Sequence, residues 1–164
     1  MQGGATDPGH RHPVLKEVTN RVGKSTLRDV LRLVYHADGV IGPVSFVMHV
    51  AAALDKPCVV LAGGREPKWW EAYLNAETSY FGRQCASVQV PHRYLDTIGR
   101  LPCCEKFGCW KTHVTAAETT RPEACCVDPV NDGFGQTIPH CLKLIIAEDV
   151  VAAVLSYRDV AGRE

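Results

Sequence analysis

The sequence has no excess of charge of either sign. Lys and Arg together number 18, and so do Asp and Glu, so the formal net charge of the 164 residues at pH 7 is zero. A protein that binds a polyanionic nucleic acid or an anionic membrane surface usually carries a basic excess. The charge balance therefore favours neither class of partner.

Long apolar runs are also missing, although 46% of the residues are hydrophobic. A membrane-spanning helix needs a run of about 18 or more apolar residues, and no such run exists. Met1 is followed by polar, Gly-rich sequence, which is not the pattern of a secretory signal. These absences predict one ordinary globular domain without a membrane span, located in the cytoplasm.

A complete phosphate-binding P-loop is absent as well. Gly23-Lys24-Ser25-Thr26 resembles the end of one, but Val18 stands where the loop requires its first glycine. The segment instead predicts the start of a helix, capped by Thr26 or Ser25 with Asp29 as the capping-box partner. The predicted buried stripe of this helix is Leu27, Val30, Leu31 and Val34.

Alternating strand and helix patterns follow. A short strand within residues 14–22 precedes this helix, and a second strand spans Asp38–Gly42. A helix then begins at Ser45, with Val47, Val50, Ala51 and Leu54 at helical spacing, and ends at Lys56-Pro57. A buried strand over Cys58–Ala62 completes a βαβαβ order, which is typical of an α/β fold with a Rossmann-like parallel sheet.

Two weaker patterns extend this fold. Alternation over Arg93–Ile98 predicts another strand. A last helix carries the apolar stripe Val150, Val151, Val154 and Leu155, with acidic residues at its start and Arg158 near its end. The predicted boundaries are a flexible start (1–13), the Rossmann-like domain (14–100), a cysteine-rich module (101–141) and a terminal helix that packs back on the domain (142–164).

The loops after the two central strands form the candidate binding site. Carboxyl ends of parallel strands meet at one edge of a sheet, where a helix start offers N–H groups to phosphates. The candidates are Gly42, Ser45, His49, Gly63, Gly64, Arg65 and Glu66. Arg65 could pair with a phosphate and Glu66 with a sugar hydroxyl, or the two could form only a local ion pair. His49 lies one turn after Ser45, and its simplest alternative role is that of a half-buried structural histidine.

Cysteine is the residue in unusual supply. Six of the eight cysteines lie within residues 103–141, a segment rich in Gly, Pro and Thr that could bury little apolar surface of its own. The spacing of Cys104, Cys109, Cys126 and Cys141 suits a tetrahedral four-thiolate site for zinc or iron, with Cys103 or Cys125 as substitutes. His113 or His140 could replace one thiolate. Free thiols, disulfides and ligands shared with a partner are the alternatives.

The segment from Gly39 to Glu66 resembles the donor site of glycosyltransferase family 9, the ADP-heptose:lipopolysaccharide heptosyltransferase-like enzymes. The family pattern is a strand, G-x-D-[ST]-G-x-x-H-x-A-A-A, and then a Pro-led strand ending in Gly. The residues that match it are Gly42, Ser45, His49, Ala51, Ala52, Ala53, Pro57 and Gly63. Val44 replaces the acidic residue of the pattern, and Phe46 replaces the glycine after the hydroxyl residue. The later segments REPKWWEAY and LPCCEKFGCW resemble a cysteine-bearing subgroup of the family.

This resemblance implies the carboxyl-terminal, donor-binding half of a two-domain, B-type glycosyltransferase. The donor would be a nucleotide sugar, most simply an ADP-heptose, used for hexosyl or heptosyl transfer. The acceptor site and the base lie in the amino-terminal domain of such enzymes, so the chain is expected to be a fragment without activity of its own. Some members carry a four-cysteine iron site. A non-catalytic nucleotide-sugar-binding module and a structural metal-binding domain stay open as alternatives.

Overall fold

The computed structural model describes residues 15–68, 73, 92–111 and 125–161, with side chains described as far as Arg158. Three strands form one sheet and two short strands form a hairpin. The helices are α1 (Leu27–His36), α2 (Phe46–Ala53), α3 (His140–Lys143) and α4 (Ala147–Ala161), and the strands are β1 (Val40–Pro43), β2 (Cys58–Gly63), β3 (Arg93–Asp96), β4 (Pro129–Asn131) and β5 (Thr137–Pro139). None of the helices in these ranges is long and apolar enough to cross a membrane.

The main sheet is parallel throughout, in the order β1-β2-β3. Val40 of β1 pairs with Cys58 of β2, and Val59 pairs with Arg93 of β3. This confirms the predicted α/β class and the parallel sheet. The strand expected within residues 14–22 was wrong for the part that is described, since 15–22 contains only turns and exposes Leu15 and Val18.

The core lies between the sheet and α2. Met48, Val50 and Ala51 of α2 pack against Cys58 and Val60 of β2. Alternation along a strand sends Val59, which is 2% exposed, to the opposite face, where α4 contacts β2 and β3. Cys58 is thus a buried core residue, as its place in an apolar strand predicts, and burial raises the pKa of its thiol to about 11.

The start of α1 confirms the capping prediction. Thr26 is the N-cap, its hydroxyl accepts the Asp29 N–H at 3.2 Å, and the Asp29 carboxylate accepts the Thr26 N–H at 2.9 Å. The Thr26 hydroxyl also donates to the Asp29 carboxylate at 2.6 Å, and this bond, followed by the one from the Thr26 N–H, holds the pKa of Asp29 below its usual range. The predicted buried stripe was wrong in its extent, because only Val34 is buried and Leu27 remains 63% exposed. The helix packs against α2, so only a narrow strip of its surface faces the core.

The terminal helix forms as predicted, but with a different face toward the sheet. Tyr157 donates its hydroxyl to the Cys58 carbonyl at 2.9 Å, and the Ser156 hydroxyl accepts from the Arg93 guanidinium at 3.0 Å. These polar contacts rotate α4 so that Val151 and Leu155 of the expected apolar stripe are about half exposed. Ser156 and Tyr157 therefore determine which face of α4 packs on the sheet. The apolar pattern used for the prediction does not include them.

Candidate functional site at the carboxyl edge of the sheet

The two predicted loops lie at the same edge of the sheet. Pro43 at the end of β1 pairs in parallel register with Leu61 of β2, so the segment leading to Ser45 and the Gly63–Glu66 segment both leave the carboxyl edge. A Cβ placed on Gly42 would meet no atom of the described residues within 4 Å. The β1 side of this edge therefore has room for a ligand.

Ser45 occupies the N-cap position of α2 in extended conformation, and its side chain makes no capping bond to the helix. A hydroxyl that does not cap leaves the first N–H groups of the helix to another acceptor. The first turn contains no acidic residue to occupy that position. Val44, which replaces the acidic residue of the family pattern, packs against the core and takes no polar role.

The second loop serves a purpose that its sequence did not indicate. Gly63 and Gly64 are both buried, and a Cβ on Gly64 would come within 2.8 Å of the Cys104 sulfur and 3.2 Å of the Cys141 Cβ. The close approach that Gly64 permits is thus made by the cysteine module.

Backbone hydrogen bonds fix the module onto this loop. The Cys109 N–H donates to the Gly64 carbonyl at 3.0 Å, and the Trp110 N–H donates to the Arg65 carbonyl at 2.9 Å. Gly108 has a φ of +97°, and a Cβ there would lie 2.4 Å from the Arg65 carbonyl oxygen. The module therefore sits directly on the backbone of the candidate donor loop.

Charged side chains gather at the same edge. Arg65 and Glu66 form an ion pair at 3.7 Å, as one of the two open interpretations held, with Arg65 47% exposed and Glu66 12% exposed. Lys68 pairs with Asp96 at the end of β3, also at 3.7 Å. Sequence reasoning missed Lys68 and Asp96, although an acidic residue at the carboxyl end of a parallel strand was a usable signal.

His49 lies on α2, one turn after Ser45, and is exposed. Its Nδ1 lies 2.8 Å from the Tyr73 hydroxyl, and the two rings meet edge to face with centroids 5.8 Å apart. Tyr73 was not among the predicted site residues. Residues 69–72 and 74–91 lie outside the described residues.

The predicted thiols converge next to this edge. Cys141 has its pKa raised by burial and by the nearby Cys109, Cys126 and Cys104, while a hydrogen bond from the Gly64 N–H opposes that shift. Burial, with Cys104, Cys109 and Cys141 nearby, raises the pKa of Cys103 to about 11. No disulfide joins any two of the seven described cysteines. Cys85 and His113 lie outside the described residues.

The proximity of these thiols does not by itself make them metal ligands. Within the described ranges, no three His, Cys, Asp or Glu side chains are arranged to hold a metal ion. Three of the four predicted ligands nevertheless lie beside the Gly63–Gly64 segment, since Cys104 and Cys141 border the space at Gly64 and the Cys109 N–H donates to its carbonyl. Sulfur donors so gathered fit a soft or borderline ion. His140 is 2.7 Å from the Asp128 carboxylate, across the ends of the β4-β5 hairpin.

A cavity of about 480 Å³ lies away from the predicted edge. It is lined by residues of α1 and its flanks: Arg21, Asp29, Arg32, Leu33, His36 and Ala37. It contains none of the predicted donor-site residues. The chemistry of strand ends and a helix start points to the carboxyl edge, and we place the candidate site there.

Comparison with known proteins gives a match at the family level. The family model of glycosyltransferase family 9 (heptosyltransferase) matches residues 9–93, just over half of the chain. The chain belongs to glycosyltransferase family 9. No curated protein and no solved structure gave a match. The family 9 match contains the Ser45 and Gly63–Glu66 segments and ends before the cysteine module.

Proposed function

We propose that this family 9 chain binds a nucleotide sugar, most simply an ADP-heptose, at the carboxyl edge of its parallel sheet. The observation that carries the proposal is the parallel pairing of β1 with β2, which brings the start of α2 and Arg65 to one edge. Family 9 is described as a heptosyltransferase family. The chemistry of transfer is therefore hexosyl or heptosyl transfer.

In this proposal the donor diphosphate lies against the start of α2. The Ser45 hydroxyl and the first N–H groups of the helix donate to phosphate oxygens, and the positive end of the helix dipole favours the negative charge. Arg65 is exposed on the neighbouring loop and supplies a charged donor. Glu66 would accept from a sugar hydroxyl. Gly42 gives the ligand open space beside these groups.

The acceptor and the base are assigned to an amino-terminal domain that would act with this one. Val44 stands in the core where the family pattern has an acidic residue, so it cannot take a proton. General-base catalysis contributes about 10²–10⁴-fold to such reactions. We therefore assign donor binding to this domain and leave its catalytic residues unassigned.

The cysteine module is proposed to hold one structural metal ion, zinc or iron. Cys104, Cys109, Cys126 and Cys141 would be its ligands, with Cys103 or Cys125 as substitutes. A bound ion would replace the apolar core that the module lacks. Because the module is bonded to Gly64 and Arg65, the ion would hold the donor loop in place rather than act on the sugar.

Val44 also favours a second candidate function, a non-catalytic module that binds a nucleotide sugar. A binder needs the phosphate site but no acidic residue at this position. A third candidate is a structural metal-binding domain that acts through a partner, and the convergence of thiols favours it. Turnover measured in the presence of an amino-terminal acceptor domain would distinguish the transferase from the non-catalytic binding module. Binding of a nucleotide sugar would distinguish both of these from the structural metal-binding domain.

The test is titration calorimetry of the purified chain with ADP-heptose. We expect saturable binding, weakened in Arg65→Ala by about 1–3 kcal/mol because a charged hydrogen bond is lost. Arg28→Ala, an exposed arginine on α1, is the control and should leave the affinity unchanged. Unchanged affinity in Arg65→Ala would leave Arg65 with its ion pair to Glu66 alone, and absence of binding would refute the proposal.

A further inference from the structure

The side chain best placed to act beside Ser45 is tied to a tyrosine from another part of the chain. His49 Nδ1 and the Tyr73 hydroxyl are 2.8 Å apart, across 24 positions of sequence. The edge-to-face contact of the two rings adds a second constraint on the orientation of the imidazole. Tyr73 therefore restricts the rotation of the His49 side chain.

Tyr73 is itself held by Tyr94 of β3 and by His92, the residue that precedes this strand. Its N–H donates to the Tyr94 hydroxyl at 3.1 Å, and its carbonyl accepts the His92 N–H at 3.0 Å. The Tyr94 hydroxyl lies 3.5 Å from the Met48 sulfur, so the same tyrosine also contacts the buried face of α2. His49 is thus anchored through Tyr73 to the sheet.

The bond at Nδ1 determines what Nε2 can do. If the phenol donates to Nδ1, the proton of a neutral imidazole lies on Nε2. If the imidazole is protonated, the phenol accepts from Nδ1 and Nε2 again carries a proton. Both states present an N–H donor at Nε2, which is the form that suits a phosphate oxygen. The third state, with Nδ1–H donating and Nε2 bare, would be disfavoured beside an anionic ligand.

We propose that Tyr73 is a positioning residue, which holds the His49 imidazole with a protonated Nε2 toward the donor diphosphate. This inference rests on the proposed function, because it names how one group of that site is oriented. Tyr73 itself touches no phosphate in this account, and its contribution to affinity passes through His49.

The experiment is a double-mutant cycle on ADP-heptose affinity, measured by calorimetry for the wild type, Tyr73→Phe, His49→Ala and the double variant. Phenylalanine keeps the ring and the backbone contacts and removes only the hydroxyl. We expect Tyr73→Phe to weaken binding about 2- to 10-fold, the usual effect of one lost hydrogen bond. In the His49→Ala background the same substitution should cause no further loss. Tyr35→Phe, an exposed tyrosine on α1, is the matched control.

Nitrogen-15 spectra of histidine-labelled protein give a second readout that a merely structural role would not change. In the wild type bound to ADP, the His49 signals should show a protonated Nε2, and Tyr73→Phe should change the Nδ1 shift. Equal losses of affinity from Tyr73→Phe in both backgrounds, or no loss in either, would overturn the proposal while leaving donor binding intact. A wild type that binds no ADP-heptose would overturn both.

Discussion

Both ring nitrogens of His92 are buried and have no hydrogen-bond partner among the described residues, and the residue is only 3% exposed. Burial, with the nearby His49 as the second cause, lowers the pKa of His92 from 6.5 to about 4. The ring packs beside the rings of Tyr73 and Tyr94. A buried donor and acceptor without partners carry a cost in stability.

This residue makes the stability of the domain depend on pH. The unfolded chain takes up the proton near pH 6.5 and the folded chain near pH 4. Between these values the unfolded state binds more protons, so the contribution of His92 is complete above pH 6.5 and is lost as the pH falls. Its loss amounts to about 3 kcal/mol in the free energy of unfolding.

Urea unfolding at several pH values between 7 and 4 measures the slope of the free energy of unfolding against pH. His92→Leu should flatten it, and His36→Leu, at an exposed histidine of α1, should not. Equal slopes for His92→Leu and the wild type would contradict the assignment of the pH dependence to His92.

For single residues, features that depend on neighbours in the sequence could be predicted better than contacts between distant segments. The Thr26 capping box and the burial of Cys58 followed from local patterns, because both depend on neighbours close in sequence. The contact between His49 and Tyr73 could not be predicted, because it depends on a segment that returns to α2 from a distant part of the chain. The close approach of Cys104 to Gly64 could not be predicted either, because the two residues are 40 positions apart in the sequence.

At the scale of elements, the cysteine module and the donor loop form one unit. Their backbones are joined through Cys109 and Trp110, and Gly108 makes the approach possible. The sequence predicted the module from its cysteines and turn residues. It did not predict the β4-β5 hairpin, whose strands have three residues each and are too short for a periodic pattern.

Gly108→Ala tests this contact. A Cβ at this position would strain the positive φ and also lie 2.4 Å from a backbone oxygen that cannot easily move. We expect a loss of stability of about 2 kcal/mol or more, measured by urea unfolding. Gly133→Ala is the matched control, since Gly133 has a φ of +94° but none of the described residues has an atom within 4 Å of the added Cβ. Similar losses in the two variants would contradict the close approach of the module to Arg65.

At the scale of the whole molecule, the parallel sheet, α2 and the edge location of the candidate site could be predicted, because strand-helix-strand order limits the possible topologies. The rotations of α1 and α4 could not be, since both helices combine apolar and polar contacts. The described core buries few large apolar side chains. This fits the expectation that the cysteine module needs another source of stability.

That source is predicted to be a metal ion. Protein purified without added metal should contain about one equivalent of zinc plus iron, and chelation should lower its melting temperature because metal binding is coupled to folding. Cys109→Ser should lose the metal, and Cys85→Ser, outside the predicted ligand set, should retain it. Less than about a tenth of an equivalent in the wild type would contradict a site of this kind.

The central claim is that a nucleotide sugar binds where the chain leaves β1 and β2 at the carboxyl edge of the sheet. The most direct measurement is a map of backbone amide shifts as ADP-heptose is added to nitrogen-15-labelled protein. The account predicts the largest changes at Ser45, Phe46 and Arg65, with little change in the cavity beside Leu33 on α1 or at Val130 in the hairpin. Saturable changes centred on α1 or on the hairpin, with the Ser45 and Arg65 amides unmoved, would contradict it.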